Sequence, residues 1–242
     1  MDMPSRLKAS IVAWIFAASS ERQLKGRFKL ILWFWLAAPL VDLSIRAAVD
    51  ALGANPQEAL LRGLGQQTLV LVLLVLASPL VSAFLGRPMG QAWMACRRMV
   101  GLWCFAYASI HLLAYWQFEH DLMWRPLWAD LWTRPFVTVG VLAWLCLVPL
   151  AITSNRWSMQ HLQRQWKRLH QLVWPIMILG LAHFYLHKAG KNDYAEPLLF
   201  SLMLIFLVVG RRRLRSSQRV QIARREGHAR PESDPAGSHA HE

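Results

Sequence analysis

Charge is scarce in this chain, and acid is scarcer still. Only 17% of the residues are charged, and 27 Lys and Arg face 14 Asp and Glu, a formal net charge of +13. The three cysteines, Cys96, Cys104 and Cys146, form no CxxC pair and no even framework, which excludes a disulfide scaffold and leaves them as small apolar fillers in helices. There is no GxGxxG, no GxxxxGK[ST], no HExxH and no GxSxG. Nothing therefore suggests a nicotinamide or flavin domain, a P-loop, a metalloprotease helix or a nucleophile elbow within the chain. The basic excess does not read as a nucleic-acid face. It comes in short bursts between apolar runs, the pattern of cytoplasmic membrane loops.

What is present is grease. Apolar residues make up 55% of the 242, and Trp alone occurs 13 times. A soluble chain of this length could not hide so many large side chains around one core. The sequence supports an all-α membrane protein, a six-helix transmembrane bundle with spans near 28–49, 67–85, 99–117, 136–153, 170–187 and 197–210. The first carries Asp42 and Arg46 near its far end, and the last is short. Helices are required because backbone in hydrocarbon must satisfy its own hydrogen bonds. A β-barrel would alternate apolar with polar residues, and these runs do not.

Loop charge orients the bundle. Arg6, Lys8, Arg22, Lys25 and Arg27 precede the first span. Arg87, Arg97 and Arg98 join the second to the third, Arg156, Arg164, Lys167 and Arg168 join the fourth to the fifth, and "RRRLR" follows the sixth. The alternate loops are mixed or acidic, with Asp50 and Glu58, then Glu119, Asp121 and Asp130, then Asp193 and Glu196. Positive charge on every other side places both termini in the cytoplasm, which agrees with an even number of spans. The organisation is then an N-terminal cytoplasmic or interfacial segment (1–27), a transmembrane domain (28–210) and a basic, then disordered, cytoplasmic tail (211–242). The run "SIVAWIFAASS" at 10–20 reads as a short interfacial helix more readily than as a cleaved signal. The tail, with His228, His239 and His241, has almost no large apolar residue and is expected to be disordered from about 216.

Histidines carry the functional signal. His120 stands between Glu119 and Asp121 and reads as a loop residue; His161 falls in a basic loop and His187 at the end of the fifth span. His111, His170 and His183 lie in apolar runs. His111 is 13 residues past Arg98, and His183 is 13 past His170. At about 1.5 Å per residue, either step is about 20 Å. His111 and His183 therefore reach similar depth toward the outer leaflet, while His170 stays near the inner one. Two level imidazoles on different helices can clamp a flat metal macrocycle such as haem from both faces. The plainer alternative is a hydrogen bond to a neighbouring helix, worth about 1 kcal/mol. A transporter or channel whose histidines relay protons or bind an ion is the rival reading. Pro149 and Pro175 are isolated, though, and do not form the paired broken spans of a transporter built from repeats.

The segments "RRMVGLWCFAYASIHLLAYW", "TRPFVTVGVLAWLCLVPLAITS", "WKRLHQLVWP" and "LAHFYLHK" together resemble the MsrQ family. These are the haem-binding membrane subunits of bacterial methionine sulfoxide reductase systems, within the ferric-reductase-like transmembrane superfamily. The resemblance spans roughly 29–215. It implies b-type haem, one or two, in the bacterial inner membrane, with His111 and His183 ligating an outer haem iron and His170 an inner one. It implies electrons taken from a quinol or a cytosolic flavin reductase and passed to a periplasmic molybdopterin-containing MsrP-like reductase. It also implies flavin mononucleotide, for which Trp157, Arg164 and Trp166 are the candidates. The superfamily's two histidines per helix are not complete here. Arg97 and Arg98 stand where a partner for His170 would be, so an inner haem would need Arg97, Arg98 or His161. A b-type cytochrome that reduces ferric iron or oxygen directly shares the same scaffold and stays open.

Overall fold

The apolar runs fold as helices whose ends are set by polar caps and by proline. The computed structural model describes residues 21–190 and 192–228, with side chains for 23–190 and 192–220. Its helices are α1 (Glu21–Ala48), α2 (Pro56–Leu85), α3 (Met89–His120), α4 (Trp124–Thr133), α5 (Pro135–Ile152), α6 (Arg156–Leu169), α7 (Val173–Ala189) and α8 (Ala195–His228). A short 3₁₀ turn, His170–Leu172, joins α6 to α7. There is no strand among the described residues. At the start of α2, the Asn55 side chain accepts from Glu58 N at 3.2 Å and Pro56 supplies a ready-made first-turn φ. Gly86, at φ 64°, closes that helix in a conformation few other residues adopt cheaply. Asn155 caps α6 in the same way, accepting from Ser158 N at 2.7 Å.

Two antiparallel pairings dominate the packing, α2 with α3 and α5 with α7. Leu64, Leu71 and Leu76 of α2 meet Cys96, Val100 and Cys104 of α3 and Met177 of α7 in one core. All three cysteines are free. Large apolar side chains also cover the outside: Trp33, Phe34 and Trp35 on α1, Leu202, Ile205 and Phe206 on α8. An outer surface of this kind suits lipid rather than water. Five segments are long and apolar enough to cross a membrane: Gln23–Ala48, Pro56–Leu85, Met89–His120, Pro135–Ile152 and Arg156–Ala189. The apolar part of α8 is confined to 197–210 before Arg211, Arg212 and Arg213, and it is not among the five.

Tyr107 shows how a proline inside a span is accommodated. Pro39 interrupts α1. The buried Tyr107 hydroxyl donates to Leu36 O at 2.8 Å and accepts from Leu40 N at 3.0 Å. Those are the two groups that an undisturbed helix pairs with each other, so α3 mends a broken rung of α1.

Several expectations change. The stretch expected as an outer loop after the third span contains α4, an amphipathic helix with Trp124, Trp128 and Trp132 on its exposed face. The basic loop before His170 is α6, broken by Gln163 at φ 42°. Periods of polar residues hid both helices from a search for apolar runs. The helix α2 begins 11 residues before the expected 67, since Gln57 and Glu58 sit in its polar first turn. Residues 216–228, expected without regular structure, continue α8, because a helix already nucleated in the apolar part propagates through Arg and Gln at little cost. The run at 10–20 and His239 and His241 lie outside the described residues.

Candidate cofactor site

His111 projects from α3 and His183 from α7, and their ring centres are 6.1 Å apart with planes at 89°. Each imidazole is held by a main-chain carbonyl of the helix that packs against its own. His111 Nδ1 lies 3.0 Å from Leu61 O of α2, and His183 Nδ1 lies 2.7 Å from Phe136 O of α5. A carbonyl can only accept, so Nδ1 carries the proton in both rings and Nε2 keeps its lone pair. No protein hydrogen bond occupies either Nε2 among the described residues. Metal-bound histidines show this arrangement, one nitrogen tethered by a carbonyl and the other free to ligate.

A cavity of about 370 Å³ opens between these helix pairs, within the size range of cofactor sites. Gly65, Ala108, Gly140, Ala143 and Gly180 line it with little bulk, and Thr68, Leu69, Val72, Leu147, Ile176 and Phe184 complete the walls. Two imidazoles on opposite faces of one metal, each nitrogen about 2 Å from it, stand with ring centres about 6 Å apart. The observed spacing, the free Nε2 atoms and the small-residue slot all fit a flat macrocycle with axial histidines. Among the described residues, no group of three or more His, Cys, Asp or Glu side chains gathers as a bare cation would ask.

The cavity mouth is charged. Arg62 pairs with Glu196, while Lys188, 5% exposed, lies 2.5 Å from Asp193 and 3.4 Å from Glu196. The Lys188 ammonium holds the Asp193 carboxyl below its ordinary range. Beside them, Tyr115 donates to Asp130 Oδ2 at 2.5 Å, His120 Nε2 sits 2.8 Å from the same oxygen, and Arg134 Nε is 3.3 Å from Oδ1. Burial alone would raise the Asp130 carboxyl, but the bonds from Tyr115 and His120 and the Arg134 charge outweigh it and hold it below the ordinary range. His120, expected in a loop, is instead the buried last residue of α3, tied through Asp130 to α4. His187 is exposed at the cavity edge, its ring 5.6 Å from that of Phe136.

His170 stands apart from this pair. Its Nδ1 bonds Trp166 O at 3.1 Å within its own turn, and its ring stacks on Trp166 at 3.9 Å. Its Nε2 is buried without a partner. Half-buried Arg97 is close enough to act on it electrostatically. Arg98 is exposed, and His161 is exposed and stacks on Trp157 at 4.2 Å. Among the described residues, no second imidazole therefore faces His170. Of the flavin candidates, Trp166 is spoken for by His170 and by a bond from its Nε1 to Thr153 O at 3.0 Å, while Trp157 and Arg164 are exposed. Tyr115 also lines the cavity.

Sequence reading missed Gly65, Gly140, the two carbonyls and the Asp130 cluster. A glycine inside an apolar helical run costs about 1 kcal/mol against alanine and so calls for a packing reason. That was the available signal for the glycines; main-chain acceptors leave none.

Comparison with known proteins gives the family. The family described as ferric reductase like transmembrane component matches residues 62–181. A "Protein-methionine-sulfoxide reductase heme-binding subunit MsrQ" of Bordetella pertussis is 40% identical over 176 residues, 73% of this chain and 79% of its own. Proteins of the same description from Caulobacter vibrioides (39% over 182 residues, 75% of this chain and 84% of theirs) and Ralstonia nicotianae (36% over 183, 74% and 82%) are similar in the same way.

Proposed function

The chain belongs to the MsrQ family of ferric-reductase-like membrane proteins, and on that premise we propose that it is the haem-binding electron-transfer subunit of a methionine sulfoxide reductase system. It is a multi-pass protein of the bacterial inner membrane. We propose six spans, with α8 the sixth, and both termini cytoplasmic. Arg87, Arg97, Arg98 and the basic residues of α6 and early α8 then share the inner side, and Asp130, Asp193 and Glu196 the outer side. The histidine pair sits toward the outer, periplasmic end. The observation that carries the reading is the tethered pair itself, two imidazoles with free Nε2 atoms facing one cavity.

Haem b, when bound, supplies one-electron redox chemistry. The chain's task is placement. His111 and His183 would hold the haem iron. Leu61 O and Phe136 O hold each ring in the right tautomer and raise its basicity. The aliphatic walls exclude water, and the charged mouth faces a docking partner. Electrons enter on the cytoplasmic side from a quinol or a reduced flavin. They leave to a periplasmic molybdopterin-containing MsrP-like reductase that repairs oxidised methionine in proteins. His170, with its unpartnered Nε2, is the candidate ligand of a second, inner haem, and Arg97 acts on it electrostatically. Flavin mononucleotide would be a further cofactor, with Trp157, Arg164 and Trp166 as the candidate residues.

Protein purified after haem-replete expression should show the reduced-minus-oxidised spectrum of six-coordinate haem b. His111→Ala and His183→Ala should each lose most of it. Full haem in both variants, or a colourless wild type, refutes the ligand assignment and favours the ion or proton transporter. Electron delivery to a periplasmic methionine sulfoxide reductase, assayed in sealed vesicles against ferric iron or oxygen as acceptor, separates the repair role from a direct ferric or oxygen reductase.

A further inference from the structure

We infer that Gly65 and Gly140 are matched positioning residues, each opening one helix so that a histidine of the packed neighbour reaches the carbonyl one turn earlier. The inference rests on reading His111 and His183 as axial ligands. The accepting carbonyls belong to Leu61 and Phe136, and in both helices the glycine stands four residues further on. A helical Cβ leans toward the N-terminus and covers the preceding turn, so a side chain at that position would lie over the carbonyl the imidazole needs. The geometry bears this out. A Cβ on Gly140 would stand 2.7 Å from His183 Nδ1 and 3.0 Å from its Cε1; one on Gly65 would stand 3.3 Å from His111 Cε1 and 3.6 Å from its Nδ1.

The same device thus occurs once in each dominant helix pair, α2 with α3 and α5 with α7, on opposite walls of the cavity. Each cradle fixes a tautomer and a ring plane relative to its own pair of helices. The 89° between the planes follows from the two cradles being built on different pairs. Among the described residues, no other helical glycine shares the property. Gly101 has nothing near it, and Gly63 meets only Leu43.

Gly65→Ala, Gly140→Ala, Gly101→Ala and Gly63→Ala in the full chain test this, read by haem content, low-spin electron paramagnetic resonance and potentiometric titration. Losing a ligand's supporting hydrogen bond typically weakens metal affinity about 10- to 100-fold. Gly140→Ala should show such a loss. Its remaining haem should have a changed low-spin signal and a raised midpoint potential, because a less basic imidazole stabilises the ferric form less. Gly65→Ala should change in the same direction by less. Gly101→Ala should match wild type, and Gly63→Ala should lower thermal stability without moving signal or potential. If Gly140→Ala does not fold, Gly65→Ala, where the neighbour need give only a few tenths of an ångström, decides by signal and potential. Wild-type affinity, signal and potential in the cradle variants, or the same shift in Gly63→Ala, overturns the inference while His111→Ala and His183→Ala still lose haem. Full haem in those two histidine variants overturns the ligand reading and the cradles together.

Discussion

The His111–His183 pair and His170 look alike in sequence and are held differently. His111 and His183 bond carbonyls 50 and 47 residues away, on the helices they pack against. Their rings are therefore fixed relative to the bundle. His170 bonds Trp166, four residues back, and sits in a 3₁₀ turn below a helix broken at Gln163. Its ring is tied to its own turn, with the Leu150 backbone of α5 also near it. An apolar span that contains an imidazole is thus not by itself a candidate ligand site. His111 and His183 face each other across a cavity, whereas His170 has a buried Nε2 and, among the described residues, no imidazole opposite it.

The sharpest way to break that contrast is to remove one histidine from each end. His111→Ala should strip the outer haem, while His170→Ala should leave its spectrum and midpoint potential in place. A loss of all pigment in His170→Ala would show that the inner ring supports the outer site after all.

A smaller effect is expected at the charged lid over the outer end. Asp130→Asn weakens the joint from α4 to Tyr115, His120 and Arg134. Asp130 has a depressed carboxyl, so its contribution to stability is present above the unfolded value, near 4, and is lost as pH falls through the lower folded one. Thermal melts from pH 7 down to 3 should show wild type losing stability at the acid end. Asp130→Asn should start lower and lose less. Parallel curves would mean that the cluster carries no charge-dependent stability.

The smallest change separates packing from positioning. Tyr107 lies one turn from His111 but bridges Leu36 and Leu40 and lies outside the cavity wall. Tyr107→Phe leaves a buried backbone donor short of a partner, a cost of about 1–3 kcal/mol. The melting temperature should drop while the haem spectrum stays unchanged. A spectral shift would extend the site one turn deeper than its lining residues suggest.

Much of the fold was legible because apolar length is a direct demand of the bilayer. The runs around "TLVLVLLVLASPL" and "FVTVGVLAWLCLVPL" could only be helices, and they are. The amphipathic pieces were not legible. The helix α4 carries Arg125, Asp130 and three exposed tryptophans, and it forms because Asp130 has buried partners 10 and 15 residues away. His120 read as a loop residue for the same reason, since its flanking acids suggested water while its real partner was on the next helix. The level depth of His111 and His183 was readable by counting helical rise. Their facing was not, because rotation of a helix about its axis is set by packing.

Composition and run length by themselves determined that this chain is helical and lives in a membrane. Loop charge and spacing supplied an expected orientation and two histidines at one depth, because hydrocarbon thickness and helical rise are common to all chains. Only the tertiary structure decided which imidazoles meet, at what ring angle, and which carbonyls hold them. Those depend on two helix pairs approaching closely enough, at Gly65 and Gly140, for a side chain of one to bond the backbone of the other. Main-chain acceptors leave no mark in the order of residues.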